Sequence, residues 1–376
     1  MRLLFYIHSL SAGGAERVIS KLTSHLAAEC DSQGERQYDV TLLTQAPLGS
    51  DRYPLHPAVQ RQSLLTGQVS RNLAEAVFNN LRRIWRLRRE IRQSKPDVVI
   101  AFMPTANILS LIATTGLGIP VLVSERNYPP CSRIGGLRRW LQQRLYPRAH
   151  TVVAVSQGIA RWLEAHWQLQ NVVTIANGTS LPLPRTDPVV STDQVGDARL
   201  ILFVGRMVEQ KQPLTALEVF AHLRTDDDWR LVMIGRGPLS DQVAQEIERR
   251  RLSGRVHRIE HVGNLQDWLE RSEILLFPSR YEGFPNALLE AMTCGCAVVA
   301  YDCPTGPADL IEDGINGRLI RLGDTEQLST AVQTLVDDET LRTTLAHAAR
   351  GVMQTHDESQ GFARWQALID GTALGD

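Results

Sequence analysis

The chain repeats one pattern twice: a short run of apolar and β-branched residues, then a longer stretch with helical spacing of apolar positions. Strands that alternate with helices predict βαβ units, and these units build parallel sheets. The pattern breaks at Pro182, Pro184 and Pro188 and then starts again. The sequence therefore predicts two doubly wound α/β domains, with the ligand site in the cleft between them.

The two series of elements set the domain boundaries. Strand candidates lie at 2–8, 38–44, 97–101, 120–124, 151–155 and 172–175, and then at 199–204, 229–234, 256–261, 273–277, 297–301 and 318–320. Helical periods include 14–29, 71–94, 212–224, 239–252, 286–294 and 325–335. We predict a first domain over 1–185, a second over 186–355, and a terminal helix in 356–376 that packs back on the first.

Charge is divided unequally between the predicted domains. The 376 residues carry a net charge of −1, which argues against a nucleic-acid or membrane-surface binder. However, residues 1–185 carry 22 Lys and Arg against 11 Asp and Glu, a net +11, and the rest of the chain carries −12. Such asymmetry predicts different partners for the two domains.

Compartment signals favour the cytoplasm. The apolar start of the chain is too short for a signal-peptide core. The uncharged stretch 98–124 contains Pro104, Gly116 and Pro120, which favours strand, buried helix and strand over a membrane span. The cysteines form no CxxC pair and predict reduced thiols rather than disulfides or a zinc site; they are Cys30, Cys131, Cys294, Cys296 and Cys303.

Two stretches of helical period, 81–92 and 133–145, concentrate the arginines of the first domain and interleave them with Leu, Ile and Trp. A basic amphipathic helix is typical of a membrane-surface element. A solvated helix whose apolar face packs on the sheet is the alternative, and nucleic acid is a weaker one. We predict contact with an anionic membrane surface and no nucleic-acid partner.

Three loops carry residues suited to an anionic ligand. Gly13 and Gly14 follow the first strand, where backbone amides can approach an anion at a helix N-terminus. Arg206 and Lys211 share the loop after strand 199–204, and two cations there can bind a diphosphate. An ordinary βα turn and a solvated basic loop are the respective alternatives.

The third loop, 278–290, follows strand 273–277 and leads into a helix near Asn286. Amides at Phe284 to Ala287 can meet phosphate oxygens, with the helix dipole adding positive potential. Glu282 in the loop can accept hydrogen bonds from sugar hydroxyls, and Glu290, about one turn inside the helix, can hold a ribose diol. A helix with ordinary N-terminal acids is the alternative.

The segment from Glu282 to Glu290, with seven residues between the two glutamates, resembles the signature of family 4 retaining glycosyltransferases. Other motifs of that family occur here in the family's order along the chain: the 13–17 turn, the 205–211 loop, and the segments 294–299 and 313–317. The resemblance covers nearly the whole chain. It implies a GT-B fold, in which two Rossmann-like domains face a cleft, and transfer of a sugar from a nucleotide donor with retained anomeric configuration.

The resemblance also implies roles for individual residues. Glu282, Arg206 and Lys211 would form the catalytic set, the two cations neutralising the diphosphate as it leaves. Glu290 would hold the ribose, and the remaining donor contacts would be Gly13, Gly14, Gly205, Arg236, Gly263, Asn264, Leu265, Gly283, Phe284, Pro285, Asn286 and Ala287. No cofactor is implied, because the nucleotide sugar is the substrate.

Metal binding has one candidate, Asp226-Asp227-Asp228, which matches the Asp-x-Asp of a different glycosyltransferase fold. It falls between a helix and the following strand, at the wrong edge of the sheet. We predict a solvated turn there and no metal site.

One position departs from the family. Many members carry His or Asp after the fourth strand, where this chain has Ser124-Glu125-Arg126-Asn127. That form is similar to bacterial enzymes of cell-surface glycan assembly that use hexose or N-acetylhexosamine donors. We expect Glu125, Arg126 or Asn127 to contact the donor or acceptor sugar; a polar loop that caps the next helix is the alternative.

The combined expectation is a transferase that moves a hexose or N-acetylhexosamine, with UDP favoured as nucleotide, to a glycan or polyprenyl-diphosphate-linked acceptor. It would work in the cytoplasm, peripherally on the inner face of the membrane. A GDP-mannose-type mannosyltransferase, a sugar-nucleotide epimerase and a non-catalytic binding module are the alternatives.

Overall fold

A computed structural model describes residues 1–11, 13–31, 33–67, 73–132, 135–225 and 228–374. The chain divides into two compact units. The first contains Met1–Asn177 and the chain from Ser359 onward, and the second contains Gly178–Glu358.

The first unit is a parallel sheet with helices between its strands. The described strands follow the order β3-β2-β1-β4-β5-β6-β7. They are β1 Arg2–Ile7, β2 Asp39–Thr44, β3 Gln60–Ser63, β4 Val98–Phe102, β5 Val121–Glu125, β6 Thr151–Ala154 and β7 Val172–Thr174. The helices are α1 Gly14–Ala28, α2 Leu73–Ser94, α3 Pro104–Thr114, α4 Gly136–Leu145 and α5 Gln157–Trp167.

Register and burial explain why these segments form strands. β1 pairs in parallel with β2 from Arg2↔Asp39 onward and with β4 from Leu3↔Val98 onward. Every residue of β4 is buried, as expected for a central parallel strand covered on both faces. The order reverses between β1 and β4, so the turn after β1 lies at the switch point where α/β sheets bind ligands.

β3 is the strand that the sequence analysis did not predict. Its residues, Gln60-Arg61-Gln62-Ser63, are polar and only partly buried, and it pairs at the sheet edge with β2 alone. An edge strand without apolar alternation gives no periodic signal.

The second unit contains a parallel sheet in the order β10-β9-β8-β11-β12-β13. Its strands are β8 Arg199–Val204, β9 Trp229–Ile234, β10 Val256–Ile259, β11 Ile274–Phe277, β12 Ala297–Asp302 and β13 Arg318–Arg321. Its helices are α6 Pro213–His222, α7 Ser240–Arg249, α8 Leu265–Arg271, α9 Asn286–Cys294, α10 Thr325–Asp337 and α11 Glu339–Ala349. The order reverses between β8 and β11, which places the loops after these two strands side by side.

The last helix, α12 (Glu358–Leu374), begins at the end of the second unit and continues into the first. Within the first unit, the Trp365 ring stacks on Phe102 with ring centroids 5.5 Å apart. The Tyr38 hydroxyl donates a hydrogen bond to Asp370 at 2.8 Å. The helix thereby completes the apolar core of that unit.

Candidate active site

The loop after β8 is built on close backbone packing. The Gly205 N–H donates to the Ile234 carbonyl at 3.0 Å. A Cβ added to Gly235, whose φ is +142°, would lie 2.0 Å from the Gly205 oxygen, and one on Gly237 would lie 2.4 Å from the Met207 oxygen. Both positions therefore require glycine. Arg236, which stands between them, is exposed.

Lys211 and Glu282 form an ion pair between the two neighbouring loops. The distance from Nζ to Oε1 is 2.6 Å, and the side chains are 15% and 6% exposed. The Lys211 Nζ also lies 4.9 Å from the centroid of the Phe277 ring, which makes a cation–π contact with the ammonium group. The structure thus brings together two residues that the sequence analysis singled out in separate loops.

Hydrogen bonds lock the same two loops together. The Arg280 N–H donates to the Gln210 carbonyl at 2.9 Å, and the Gln210 amide donates to the Tyr281 carbonyl at 2.8 Å. The Thr305 hydroxyl donates to the Glu282 carbonyl. The supporting role of Gln210 was not predicted, because a side chain that supports a loop from a distant segment has no local signal.

Arg206 contrasts with Lys211. Its side chain is exposed, and it has no hydrogen bond or ion pair with any residue that the structure describes. An exposed guanidinium without a protein partner keeps its donors available for an anion.

The N-terminus of α9 adds backbone donors. Pro285 occupies the N-cap position and supplies no side-chain cap. Within the described chain, the N–H groups of Gly283, Phe284 and Ala287 have no acceptor. Unpaired N–H groups and the helix dipole make this end of the helix attractive to a phosphate.

The side chains around this helix start face inward. Phe284 is buried, and its ring packs against His356 with centroids 5.9 Å apart, so this residue offers a ligand its backbone. Gly306, at φ +102°, lies against Pro285; an added Cβ would come within 2.7 Å of the proline ring. Glu290 is buried about one turn inside α9.

The loop before α8 packs mainly on the second unit's own linker. The Asn264 side chain accepts from the Val190 N–H at 2.9 Å and donates to the Val190 carbonyl and to Asp267. A Cβ on Gly263 would lie 1.7 Å from the Thr186 oxygen. Of the predicted donor contacts in this loop, Gly263, Asn264 and Leu265, the Asn264 amide is engaged in these hydrogen bonds within the second unit.

In the first unit, Gly13 is the N-cap of α1 and Gly14 its first residue. The Tyr53 hydroxyl accepts from the Gly13 N–H at 3.2 Å and donates to the Gly13 carbonyl at 3.1 Å. A Cβ on Gly13 would overlap the Glu16 carboxylate. The glycine turn after β1 lies where it was predicted, held by a tyrosine that the sequence analysis did not include.

Glu125 does not fit the predicted sugar contact, because its side chain is turned into the first unit. One carboxylate oxygen accepts from Tyr146 at 2.8 Å and Gln142 at 2.9 Å, and the other accepts from the Asn127 N–H at 3.2 Å. Burial raises the pKa of Glu125 to about 7 against the opposing effect of these hydrogen bonds. Glu125 holds α4 and the following turn against the end of β5.

Arg126 is also buried. Its guanidinium donates to Asn177 and lies 5.3 Å over the Phe102 ring. Its second terminal nitrogen, Nη1, is buried without a hydrogen-bond partner among the described residues. Burial lowers the pKa of Arg126 to about 10. Of the predicted trio, the half-buried Asn127 is the most accessible to a sugar. The alternative of a loop that caps the next helix does not fit either, because the N-terminus of α4 has no side-chain cap.

No group of three or more His, Cys, Asp or Glu side chains within the described residues is arranged to hold a metal ion. Asp226 and Asp227 of the aspartate run lie outside those residues.

Solved structures share this architecture. Sucrose-phosphate synthase from Thermosynechococcus elongatus superposes with a TM-score of 0.84 at 17% identity, over 100% of both chains. HepE from Anabaena, solved with UDP and glucose, gives 0.79 at 19% identity over 99% of this chain and 100% of its own. The two parallel-sheet domains therefore have the predicted GT-B fold.

The family follows from the sequence. Residues 13–178 match the glycosyl transferase 4-like domain and residues 190–352 match glycosyl transferases group 1. The chain belongs to the glycosyltransferases that carry these two domains.

Two curated relatives match nearly end to end. The GalNAc-α-(1→4)-GalNAc-α-(1→3)-diNAcBac-PP-undecaprenol α-1,4-N-acetyl-D-galactosaminyltransferase of Campylobacter jejuni is 24% identical over 98% of each chain. The amylovoran biosynthesis glycosyltransferase AmsD of Erwinia amylovora is 25% identical over 98% of this chain and 99% of its own.

Proposed function

We propose that the protein transfers a hexose or N-acetylhexosamine from a nucleotide sugar, with UDP as the favoured nucleotide, to a glycan or lipid-linked oligosaccharide of a bacterial surface polysaccharide. The observation that carries the proposal is the Lys211–Glu282 ion pair beside the uncapped N-terminus of α9. A cation held in place next to unpaired N–H groups suits a diphosphate that gains negative charge as it leaves.

The proposed reaction retains the anomeric configuration. The bond from the anomeric carbon to the diphosphate breaks, and a bond to the acceptor oxygen forms on the same face of the sugar. The leaving diphosphate takes the acceptor's hydroxyl proton, so no protein nucleophile is needed. Lys211, Arg206 and the α9 amides oppose the charge that accumulates on the diphosphate, and Glu282 holds Lys211 and a sugar hydroxyl.

The remaining donor contacts are proposed from their positions. Glu290 holds the ribose and the 283–287 backbone holds the phosphates. Gly13 and Gly14, in the first unit, are proposed as further donor contacts. Gly205, Arg236 and the 263–265 loop complete the pocket, and Asn127 contacts a sugar.

The relatives support the class of donor and acceptor. The C. jejuni enzyme is named for an undecaprenyl-diphosphate-linked acceptor and for N-acetylgalactosamine transfer, and the Erwinia enzyme for an exopolysaccharide. HepE was solved with UDP. We infer a polyprenyl-diphosphate-linked acceptor, a position in the cytoplasm on the inner face of the membrane, and an anionic membrane surface as partner through the basic helices. No helix in the described chain is long and apolar enough to cross a bilayer.

A donor panel tests this function. UDP- and GDP-linked hexoses and N-acetylhexosamines are supplied with lipid-linked acceptors extracted from membranes, and released nucleoside diphosphate is followed. We expect release with a UDP-sugar that depends on acceptor, and an α-linkage by NMR when the donor is α-linked. A preference for GDP-mannose would indicate the mannosyltransferase, and donor conversion without elongation would indicate an epimerase.

A further inference from the structure

The described part of α2 exposes large apolar side chains to solvent. Phe78, Leu81 and Trp85 are 66%, 60% and 61% exposed, and their spacing places them on one face of the helix. Leu87 and Ile91 of the same helix are fully buried. The helix therefore has two apolar faces, one packed on the domain and one facing outward, which packing on the sheet alone does not explain.

α4 has the same arrangement. Leu137 and Trp140, three residues apart, are 72% and 52% exposed, whereas Gln142 and Leu145 face the interior. The residues predicted to begin this helix, Arg133 and Ile134, lie outside the described residues. Exposed tryptophan and leucine side chains thus occur on both α2 and α4, and exposed apolar groups of this size are typical of an interaction surface.

Each outward tryptophan carries an arginine one turn later. The Arg89 guanidinium lies 5.8 Å from the centroid of the Trp85 ring, and that of Arg144 lies 5.8 Å from the Trp140 ring. Both stacked arginines are exposed. This pairing suits a boundary between an apolar layer and an anionic layer.

α2 and α4 both pack against α3. Arg83 of α2 and Arg138 of α4 are near enough for their charges to interact, and after burial this repulsion is what lowers the pKa of Arg83. The outward faces of α2 and α4 are called here the α2–α4 surface, and its apolar members are Phe78, Leu81, Trp85, Leu137 and Trp140.

The charge of these two helices is mainly positive. Five arginines of the two helices have guanidinium groups that donate no hydrogen bond to any described residue; they are Arg82, Arg89, Arg92, Arg138 and Arg144. The acidic residues of these two helices are Glu75 and Glu90, both on α2. A second copy docked face to face would bring these arginines together, so charge disfavours a dimer through this surface.

We propose that the α2–α4 surface docks on an anionic phospholipid bilayer by inserting Trp85, Trp140 and their apolar neighbours among the headgroups, while the unpaired arginines bind lipid phosphates. The inference deepens the membrane partner of the proposed function and rests on it for the orientation towards a lipid-linked acceptor. Beyond the attraction between basic helices and an anionic membrane, the inference adds the insertion of apolar side chains into the bilayer interface. Aromatic rings and arginines are the side chains that favour the bilayer interface.

Vesicle binding tests the insertion. The full chain is mixed with vesicles of phosphatidylglycerol and phosphatidylethanolamine, some containing brominated lipid, and sedimentation and tryptophan quenching are measured. We expect binding at low salt, quenching by bromolipid, and binding that weakens but persists in 0.5 M NaCl, a concentration of about threefold the physiological one, because insertion is not screened. Neutral phosphatidylcholine vesicles should bind weakly.

The variant Trp85→Ala/Trp140→Ala should lose bromolipid quenching and bind anionic vesicles roughly tenfold or more weakly, since each ring leaves the apolar layer. Ile315→Ala, at an exposed apolar position of the second unit, is the matched control and should bind like the wild type. Unchanged quenching in the double variant would overturn the proposal, as would complete release by salt. Dimerisation through this surface, or tighter binding to a single-stranded oligonucleotide than to vesicles, would also overturn it.

Activity separates this inference from the proposed function. With a water-soluble acceptor, the double variant should turn over donor at the wild-type rate while losing activity on acceptor embedded in vesicles. Absence of turnover in every variant, with vesicle binding intact, would refute the transferase and leave the docking surface standing.

Discussion

The Lys211 ammonium nitrogen lies 2.6 Å from Oε1 of Glu282, in a pair whose members come from loops 71 residues apart. Because both side chains are mostly buried, each depends on the other for compensation of its charge. The same contact sets a cation beside the start of α9. The pair can therefore stabilise the fold of the two loops and also position a charge for a leaving diphosphate.

A double-mutant cycle separates these roles. Lys211→Met leaves the Glu282 carboxylate buried without its partner, and loss of one member of such a pair costs about 3–5 kcal/mol of stability. Combining it with Glu282→Gln removes both charges and should recover most of the melting temperature. Transfer should stay about 10²–10³-fold below wild type in the double variant, because the diphosphate has lost its cation. A double variant with wild-type kcat would show that the pair is only structural.

Arg206 should act on catalysis without acting on stability. Its side chain is exposed and makes no interaction within the described chain, so Arg206→Ala should leave the melting temperature unchanged. We expect kcat to fall about 10²-fold, and Arg206→Lys to retain part of the rate through its charge. Arg224→Ala, at an exposed arginine after α6, is the matched control. Equal kinetics for the Arg206→Ala and Arg224→Ala variants would contradict the assignment.

Glu290 should discriminate the sugar of the nucleotide. Its buried carboxylate can accept hydrogen bonds from both hydroxyls of a ribose diol. 2′-Deoxyribose lacks one of these two hydroxyls and can donate only one such bond. Wild-type enzyme should bind UDP more tightly than 2′-deoxy-UDP, by about tenfold or more. Glu290→Gln should weaken UDP binding and compress that ratio, as measured by competitive inhibition. An unchanged ratio would place the ribose elsewhere.

Glu125 predicts a pH dependence of stability. Because burial raises its pKa to about 7 in the folded protein, the folded state binds more protons than the unfolded state between the ordinary pKa of 4.5 and pH 7. The contribution of Glu125 to the free energy of unfolding is therefore most favourable below pH 4.5 and is lost as the pH rises through 7. Tyr146, Gln142, the Asn127 N–H and the neighbouring Arg126 are the groups that face it.

Comparison with Glu125→Gln isolates this effect. The variant removes the titration, so its free energy of unfolding relative to wild type should rise between pH 5 and pH 8, by at most about 3 kcal/mol. Urea unfolding at several pH values measures the difference, in which the titration of all other groups cancels. A difference independent of pH would mean that Glu125 does not titrate in this range.

Much of the fold was predictable because the signal is local. β4 and most of β8 are runs of apolar residues, which predict a buried strand without knowledge of what packs against it. The glycines after β1 and β8 mark the turns that follow these strands. β3 was missed because a polar edge strand is defined by its pairing with β2 alone. Glu125 was assigned to a sugar contact because its position after β5 is visible in the sequence and its partners, Gln142 and Tyr146, are not.

By itself, the sequence determined the alternation of strands and helices, the division into two α/β domains, and the loops that carry Arg206, Lys211 and Glu282. Those properties depend on apolar periodicity and on which residue follows a strand. Only the tertiary structure decided that Lys211 pairs with Glu282 and that Trp85 and Trp140 face outward. Such relationships depend on the order of strands in a sheet and on which side of a helix packs against it, and both are set by contacts between residues far apart in the chain.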